Sequence, residues 1–313
     1  MPKVKDAAPE EVRAAYELHD EVRTNPGSRR LFEEQPPALD ELQQRVVEQL
    51  NVQGYSIVPF AELFSEERWE ELAADAAVYT REVEALLDGG TAPPPKQPKP
   101  GKEPKPAKPG KEKFFLGRRY KKSPLSLDSP WLETAASARM LDIVNSYLRM
   151  WSKLSYADQW YSPPRGGEAD RLGSMRWHRD YNDQHLVKVF VYLWDVDEGA
   201  GPLEYVPGSA RSGPYAQEWA WAAGSGETYP PQEEFAERIP QDAVTTFTAP
   251  GGSVIFCDTS GFHRGGFATK TPRGVWVFNY VSPAALETLV DRNFEVLPEQ
   301  LDTLEDVERY AVT

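Results

Sequence analysis

Cysteine is nearly absent from this chain of 313 residues, which carries one, Cys257. A lone thiol rules out any disulfide within the chain. Its place at the end of Val254-Ile255-Phe256-Cys257 reads as a small buried hydrophobe. Long apolar runs are missing too. Nowhere do about 18 apolar residues follow one another, so no membrane-spanning helix is expected. The N-terminal stretch MPKVKDAAPEEVRAAYELHDEV is charged and helix-like, with no apolar signal core, and the expected location is the cytoplasm. Positive charge is outnumbered, 35 Lys and Arg against 49 Asp and Glu, for a net charge of −14. Affinity for a phosphate backbone comes from Lys and Arg, so nucleic acid is not an expected partner. There is no internal repeat, and nothing indicates an oligomeric state. Histidine is scarce, at four residues.

What is present suits a folded enzyme: 40% hydrophobic and 12% aromatic residues exclude wholesale disorder. Apolar spacing predicts helices over 9–24 and 39–51, a short strand Tyr55–Val58 after Gly54, and a helix capped by Ser65 running to about Leu87. Residues 89–113 form a Lys-Pro tract too rich in proline for helix or central strand. It reads as a solvated insertion in one domain, with a docking arm for an anionic partner as the less simple role. FFLGRRYKK (114–122) suits a strand. A helix beginning at Asp128-Ser129-Pro130-Trp131 would turn Leu132, Ala136, Met140, Val144 and Leu148 inward.

From Leu154 the pattern changes. Strands are expected at 154–161, 173–178, 187–195, 202–206, 253–257 and 274–281, separated by Gly/Pro turns. Closely spaced strands without intervening helices point to a β-sandwich or jelly roll. The expected class is therefore mainly β with flanking helices (α+β). It divides as a helical extension at 1–50, a single domain over 51–290 and a C-terminal tail at 291–313. The stretch 211–245 is too long for a turn and suits a lid or substrate loop.

His178-Arg179-Asp180 and the distant His263 carry the chemistry. Two imidazoles and a carboxylate can occupy one face of an octahedral Fe(II) and leave the other face open. Residues two apart on an extended segment project to the same side, so His178 and Asp180 arrive together. His263 would come from a neighbouring strand end, with Arg273 ten positions later on the same hairpin, where a guanidinium can clamp a carboxylate. An HxD pair alone is common; its setting in a strand-rich region, with a distal His in a Gly-rich turn and an Arg beyond, is what singles it out. His19 and His185, in polar surroundings, read as surface or structural.

These residues lie within a longer pattern: Trp177-His178-Arg179-Asp180, Lys188-Val189-Phe190-Val191-Tyr192-Leu193, Gly201-Pro202-Leu203-Glu204-Tyr205-Val206-Pro207-Gly208-Ser209, His263-Arg264-Gly265-Gly266 and Arg273. Over residues 50–283 the chain resembles the phytanoyl-CoA hydroxylase-like branch of Fe(II)/2-oxoglutarate-dependent dioxygenases. The resemblance implies a double-stranded β-helix (a cupin-like jelly roll). It implies His178, Asp180 and His263 as iron ligands and Arg273 as the partner of the 2-oxoglutarate C5 carboxylate, with Arg119 as a second basic contact. It further implies O2 as co-substrate and hydroxylation of an unactivated C–H with release of succinate and CO2. A carboxylate at 180, where related halogenases have a small residue, favours oxygenation over halogenation. The chain departs from its relatives in Val275, where some have Ser or Thr, and in Ala210, where many have a histidine that is not a ligand.

The expected acceptor is a small organic molecule, such as a specialised metabolite, a lipid or a carbohydrate intermediate. Trp160, Tyr161, Tyr181, Trp219 and Trp221 could line its pocket, although core packing is the simpler role for any one of them. Two other readings share the fold: a non-redox, metal-dependent cupin of isomerase type, and a non-catalytic binding protein.

Overall fold

The computed structural model describes residues 25–88, 117–119, 124–164, 171, 173–180, 182–210, 213–219, 229–285 and 292–313. The expected helix at 9–24, the Lys-Pro tract, His19, Tyr181 and Trp221 lie outside the described residues.

Helix α1 (Pro26–Glu34) precedes α2 (Glu41–Gln53). Asp40 caps α2 reciprocally: its carboxylate accepts from the Gln43 N–H at 2.8 Å, and the Gln43 side chain accepts from the Asp40 N–H at 3.0 Å. The helix stops at Gly54, at φ 85°, where a Cβ would also lie 2.2 Å from the Tyr205 hydroxyl. Only glycine meets both demands. The chain then enters β1 (Tyr55–Pro59), a single helical turn α3 (Phe60–Leu63), and α4 (Glu66–Asp88), whose Ser65 cap accepts the Arg68 N–H at 3.1 Å. Of the strand expected at 114–122, the described part is β2 (Gly117–Arg118).

One helix was expected from Asp128 to Leu148. Two form, α5 (Pro130–Ala136) and α6 (Ala138–Leu148), because Ser137 takes an extended ψ of 145° between them. The five inward residues predicted on that stretch are all buried.

The remaining elements are β3 (Lys153–Ser162), β4 (Leu186–Tyr192), β5 (Glu204–Tyr205), α7 (Gln232–Arg238), β6 (Thr245–Thr246), β7 (Ser253–Cys257), β8 (His263–Arg264), β9 (Arg273–Val281), α8 (Pro298–Leu301) and α9 (Asp306–Val312). They build a six-stranded sheet, β1-β7-β4-β9-β3-β2, and a three-stranded sheet, β6-β5-β8. The pairings in both are antiparallel. Together they form the double-stranded β-helix.

Strand alternation divides the large sheet into two faces. Val187, Val189, Val191, Trp276, Phe278 and Tyr280 point to the helices and join the main core. Phe190, Tyr192, Val275 and Val277 point the other way and pack with Leu203, Tyr205 and Phe247 from the small-sheet side.

Three expectations are corrected. The strand at 173–178 is a 3-10 turn, Gly173–Met175, followed by an isolated bridge at His178. The described part of the helical extension belongs to the domain, since Val46 and Leu50 of α2 lie in the main core. The same holds for the expected tail: Phe294, Ala311 and Val312 sit in that core, and Phe294 bridges in parallel to Leu125. Their buried apolar side chains hold both ends to the domain.

Candidate active site

His178 and His263 are backbone partners. The His178 N–H donates to the His263 carbonyl at 3.0 Å, and the His263 N–H donates to the His178 carbonyl at 3.0 Å. Two residues on, the Asp180 N–H donates to the Thr259 carbonyl at 2.9 Å. The HxD segment is thus tied to the segment leading into β8, and the three side chains meet. One ligand atom from each of His178, Asp180 and His263 lies within 4.8 Å of the others, and all three residues are buried.

The imidazoles are oriented from behind. The His178 Nδ1 lies 2.8 Å from the Arg176 carbonyl and the His263 Nδ1 lies 3.0 Å from the Gly261 carbonyl. A carbonyl only accepts, so each Nδ1 carries the proton and each Nε2 offers a lone pair. Burial, followed by the neighbouring His178, pushes His263 down to about 3. Burial lowers His178 as well. Both rings are neutral at physiological pH, as metal ligation requires.

Asp180 is held from the opposite wall. Lys188, at the centre of β4, places its ammonium 2.6 Å from Asp180 Oδ2, with the Tyr156 hydroxyl beside it. Burial alone would raise the Asp180 carboxyl, but Lys188 and the two imidazoles outweigh it and hold it well below the usual range. Burial likewise works against the Lys188 ammonium, and Asp180 overrides it upward. In the sequence Lys188 stands within a motif that assigns it no role. The signal was there: one lysine inside Leu-Val-Lys-Val-Phe-Val-Tyr must be either a surface residue or a buried partner.

Arg179, between His178 and Asp180, points away from both. Its guanidinium donates to the carbonyls of Ser209 at 2.5 Å, Ser260 at 2.6 Å and Glu218 at 3.0 Å, and lies 3.8 Å over the Phe262 ring. It pins the loop after β5 to the segment leading into β8.

Arg273 opens β9 on the large sheet, whereas His263 lies on the small one. The expected single hairpin is not formed. β8 pairs with β5 and β9 with β3 and β4, so the chain crosses between sheets in 265–272. Gly266 lets this crossing pass tight against the 201–202 backbone, since a Cβ there would sit 2.1 Å from the Pro202 carbonyl oxygen. Arg273 and the triad nevertheless line one cavity of about 190 Å³, with Lys188, Trp160 and Tyr229. The Arg273 Nη1 is shut off from solvent with no hydrogen-bond partner, and no carboxylate among the described residues pairs with the guanidinium.

Arg119 is elsewhere. Its guanidinium grips the Asp75 carboxylate at 2.5 and 3.0 Å and touches Gln159, outside the cavity lining. Among the aromatics, Trp160 lines the cavity, Tyr161 hydrogen-bonds Glu84, and Trp219 packs with Phe235 and Phe262. Tyr229 was missed. It stacks on His178 with ring centroids 5.1 Å apart.

The model of the family described as phytanoyl-CoA dioxygenase (PhyH) matches residues 50–275. The chain belongs to the PhyH family. All three members of the triad, and Arg273, fall inside the matched span. Among solved structures similar to this PhyH protein is EctD from S. alaskensis with 2-oxoglutarate and 5-hydroxyectoine, at TM-score 0.51 and 18% identity, covering 84% of this chain and 92% of that one. AviO1 from Streptomyces viridochromogenes Tue57 follows at TM-score 0.48 and 17% identity, covering 80% and 98%. The epimerase SnoN, in complex with Fe3+, alpha ketoglutarate and nogalamycin RO, has TM-score 0.49 and 17% identity, covering 77% and 84%. At such identities the likeness is one of fold. No curated protein matches by sequence.

Proposed function

We propose that this PhyH protein is an Fe(II)- and 2-oxoglutarate-dependent oxygenase that hydroxylates an unactivated C–H of a small organic molecule. The observation that carries the reading is Arg273. A guanidinium with a sealed, unpartnered nitrogen, in the same cavity as three convergent metal donors, is costly to bury unless an anion completes it. A dicarboxylate reaching from the metal to Arg273 meets that need. The solved EctD structure contains 2-oxoglutarate, which supports the same keto acid here.

His178, Asp180 and His263 would hold the iron, and Arg273 the far carboxylate of 2-oxoglutarate. Bound iron, with 2-oxoglutarate and O2, supplies the oxidising power to break the C–H bond, releasing succinate and CO2. The protein's own work is positioning. The carbonyls of Arg176 and Gly261 aim the two imidazoles, and Lys188 holds one Asp180 oxygen, which would leave the other available to a metal. Phe190, Leu203 and Val275 present apolar surface that keeps water from the acceptor.

Anaerobic addition of Fe(II) and 2-oxoglutarate should produce a weak visible charge-transfer band, absent in His178→Ala. Arg273→Gln should keep iron binding but weaken 2-oxoglutarate about 10- to 100-fold, the worth of a charge-assisted hydrogen bond. Equal affinity for 2-oxoglutarate in wild type and Arg273→Gln would overturn the cosubstrate assignment. No band at all in wild type would favour a non-redox cupin or a binding protein. Succinate release screened against acceptors, with product mass showing one added oxygen atom, separates hydroxylation from other outcomes.

A further inference from the structure

Behind the triad lies a second cleft, of about 550 Å³, that the oxygenase reading does not use. Its position follows from strand alternation. His178 and His263 face the first cavity, so their neighbours Trp177 and Arg264 face outward, and the Arg264 guanidinium lies 4.4 Å over the Trp177 ring. Helix α7 closes the far side with Phe235, and Ile239 follows it, giving the cleft an apolar floor.

Three arginines line this cleft, Arg171, Arg176 and Arg264, and among the described residues one carboxylate, Glu204, pairs with any of them. Glu204 is committed to Arg264, accepting from its Nε at 2.9 Å and Nη2 at 2.5 Å, and lies only within 3.8 Å of Arg171. The Arg176 side chain has no hydrogen-bond or ion-pair partner among the described residues. Its Nε is sealed from solvent, and its guanidinium lies over the Tyr229 ring, 4.7 Å from the centroid. Burial and then Arg264 lower the hold of Arg171 on its proton, as expected of cations crowded without enough counter-charge. On a chain of net charge −14, this excess of positive charge among the described residues of the cleft runs against the overall balance.

From this geometry we infer that the cleft is a binding site for an organic anion, a carboxylate or phosphate carried on an apolar body. The acid group would bridge Arg176 and Arg171, and the body would lie against Trp177 and Phe235. Any occupant would touch the immediate neighbours of both histidine ligands, and Tyr229, in contact with Arg176 and His178 alike, links it to the first cavity. The anion is either the acidic end of the acceptor itself or a separate effector.

The test titrates phenyl phosphate, benzoate and neutral benzyl alcohol calorimetrically into the full chain, with 2-oxoglutarate present so that Arg273 is not the site detected. At least one of the two acids should bind wild type. Arg176→Gln should weaken it at least tenfold, Arg176→Lys should recover part of the loss, and benzyl alcohol should not discriminate between them. Arg171→Gln serves as the second variant if Arg176→Gln does not fold. Failure of both acids to bind wild type, or equal binding to wild type and the Gln variants, overturns the inference. The affinity for 2-oxoglutarate, measured separately, should be the same in wild type and Arg171→Gln. Its loss from wild type would sink the oxygenase reading and leave the cleft standing. Competition between the bound acid and a turned-over acceptor identifies the acceptor's own end; binding without competition identifies an effector.

Discussion

The two faces of the six-stranded sheet are made by the same strands and do opposite work. On β9, Trp276, Phe278 and Tyr280 face the helices, fully buried, and Trp276 stacks on Trp131 with centroids 4.5 Å apart. One residue out of step, Arg273, Val275, Val277 and Asn279 face the small sheet. β4 repeats the division, with Val187, Val189 and Val191 on one side and Lys188 on the other. The helix side gains from apolar area and close packing. The inner side gives up part of that gain to hold charge, a pattern that locates chemistry more sharply than either strand's composition does.

The contrast can be broken most severely by crossed substitutions. Trp276→Ala should cost about 3–5 kcal/mol in denaturant unfolding, whereas His263→Ala should abolish metal binding and turnover while leaving the unfolding midpoint near wild type. If the two variants behaved alike, the division of labour would be wrong. Lys188→Met tests the boundary, a buried apolar replacement on the inner face. Freed of its partner, Asp180 should turn more easily, and affinity for Fe(II) or Mn(II) should fall about 10- to 100-fold. Unaltered metal affinity would reduce the ion pair to packing.

The smallest effect lies in the helical layer. Asp142 of α6, half-buried, is raised to about 6 by burial and then by Glu305. Between its unfolded value of about 3.9 and that folded value, the native state binds the extra proton. Stability therefore falls as pH rises through this window and stays lower above it. Discounted for solvent screening, Asp142→Asn should add about 1 kcal/mol at about pH 7.5 and almost nothing below about pH 4. A gain at low pH instead would reverse the sign.

Much of this was legible in one dimension. Alternation in Val187–Tyr192 and Gly274–Val281 announces strands buried on both faces, and the Ser65 and Gly54 signals mark where α4 begins and α2 ends. The His-x-Asp spacing needs only an extended segment to bring two ligands to one side. Arg119 shows where such reading fails: a basic residue near the right strand was expected to meet a cosubstrate, but Asp75, 44 positions earlier, claims its guanidinium. Nothing local announces that pairing. The break at Ser137 and the packing of 292–313 were hidden for the same reason, since each depends on surfaces supplied by distant elements.

By itself, the order of residues determined the fold class and pointed to a candidate donor set, because strand periodicity and ligand chemistry are local properties. Tertiary structure decided which charges face each other: Lys188 on Asp180, Arg119 on Asp75, and Arg176 on no carboxylate among the described residues. The physical reason is range. Backbone preference and side-chain period act over a few residues, whereas the partner of a buried charge is chosen by whatever the packed sheets bring within about 4 Å, where Coulomb attraction at low dielectric becomes decisive.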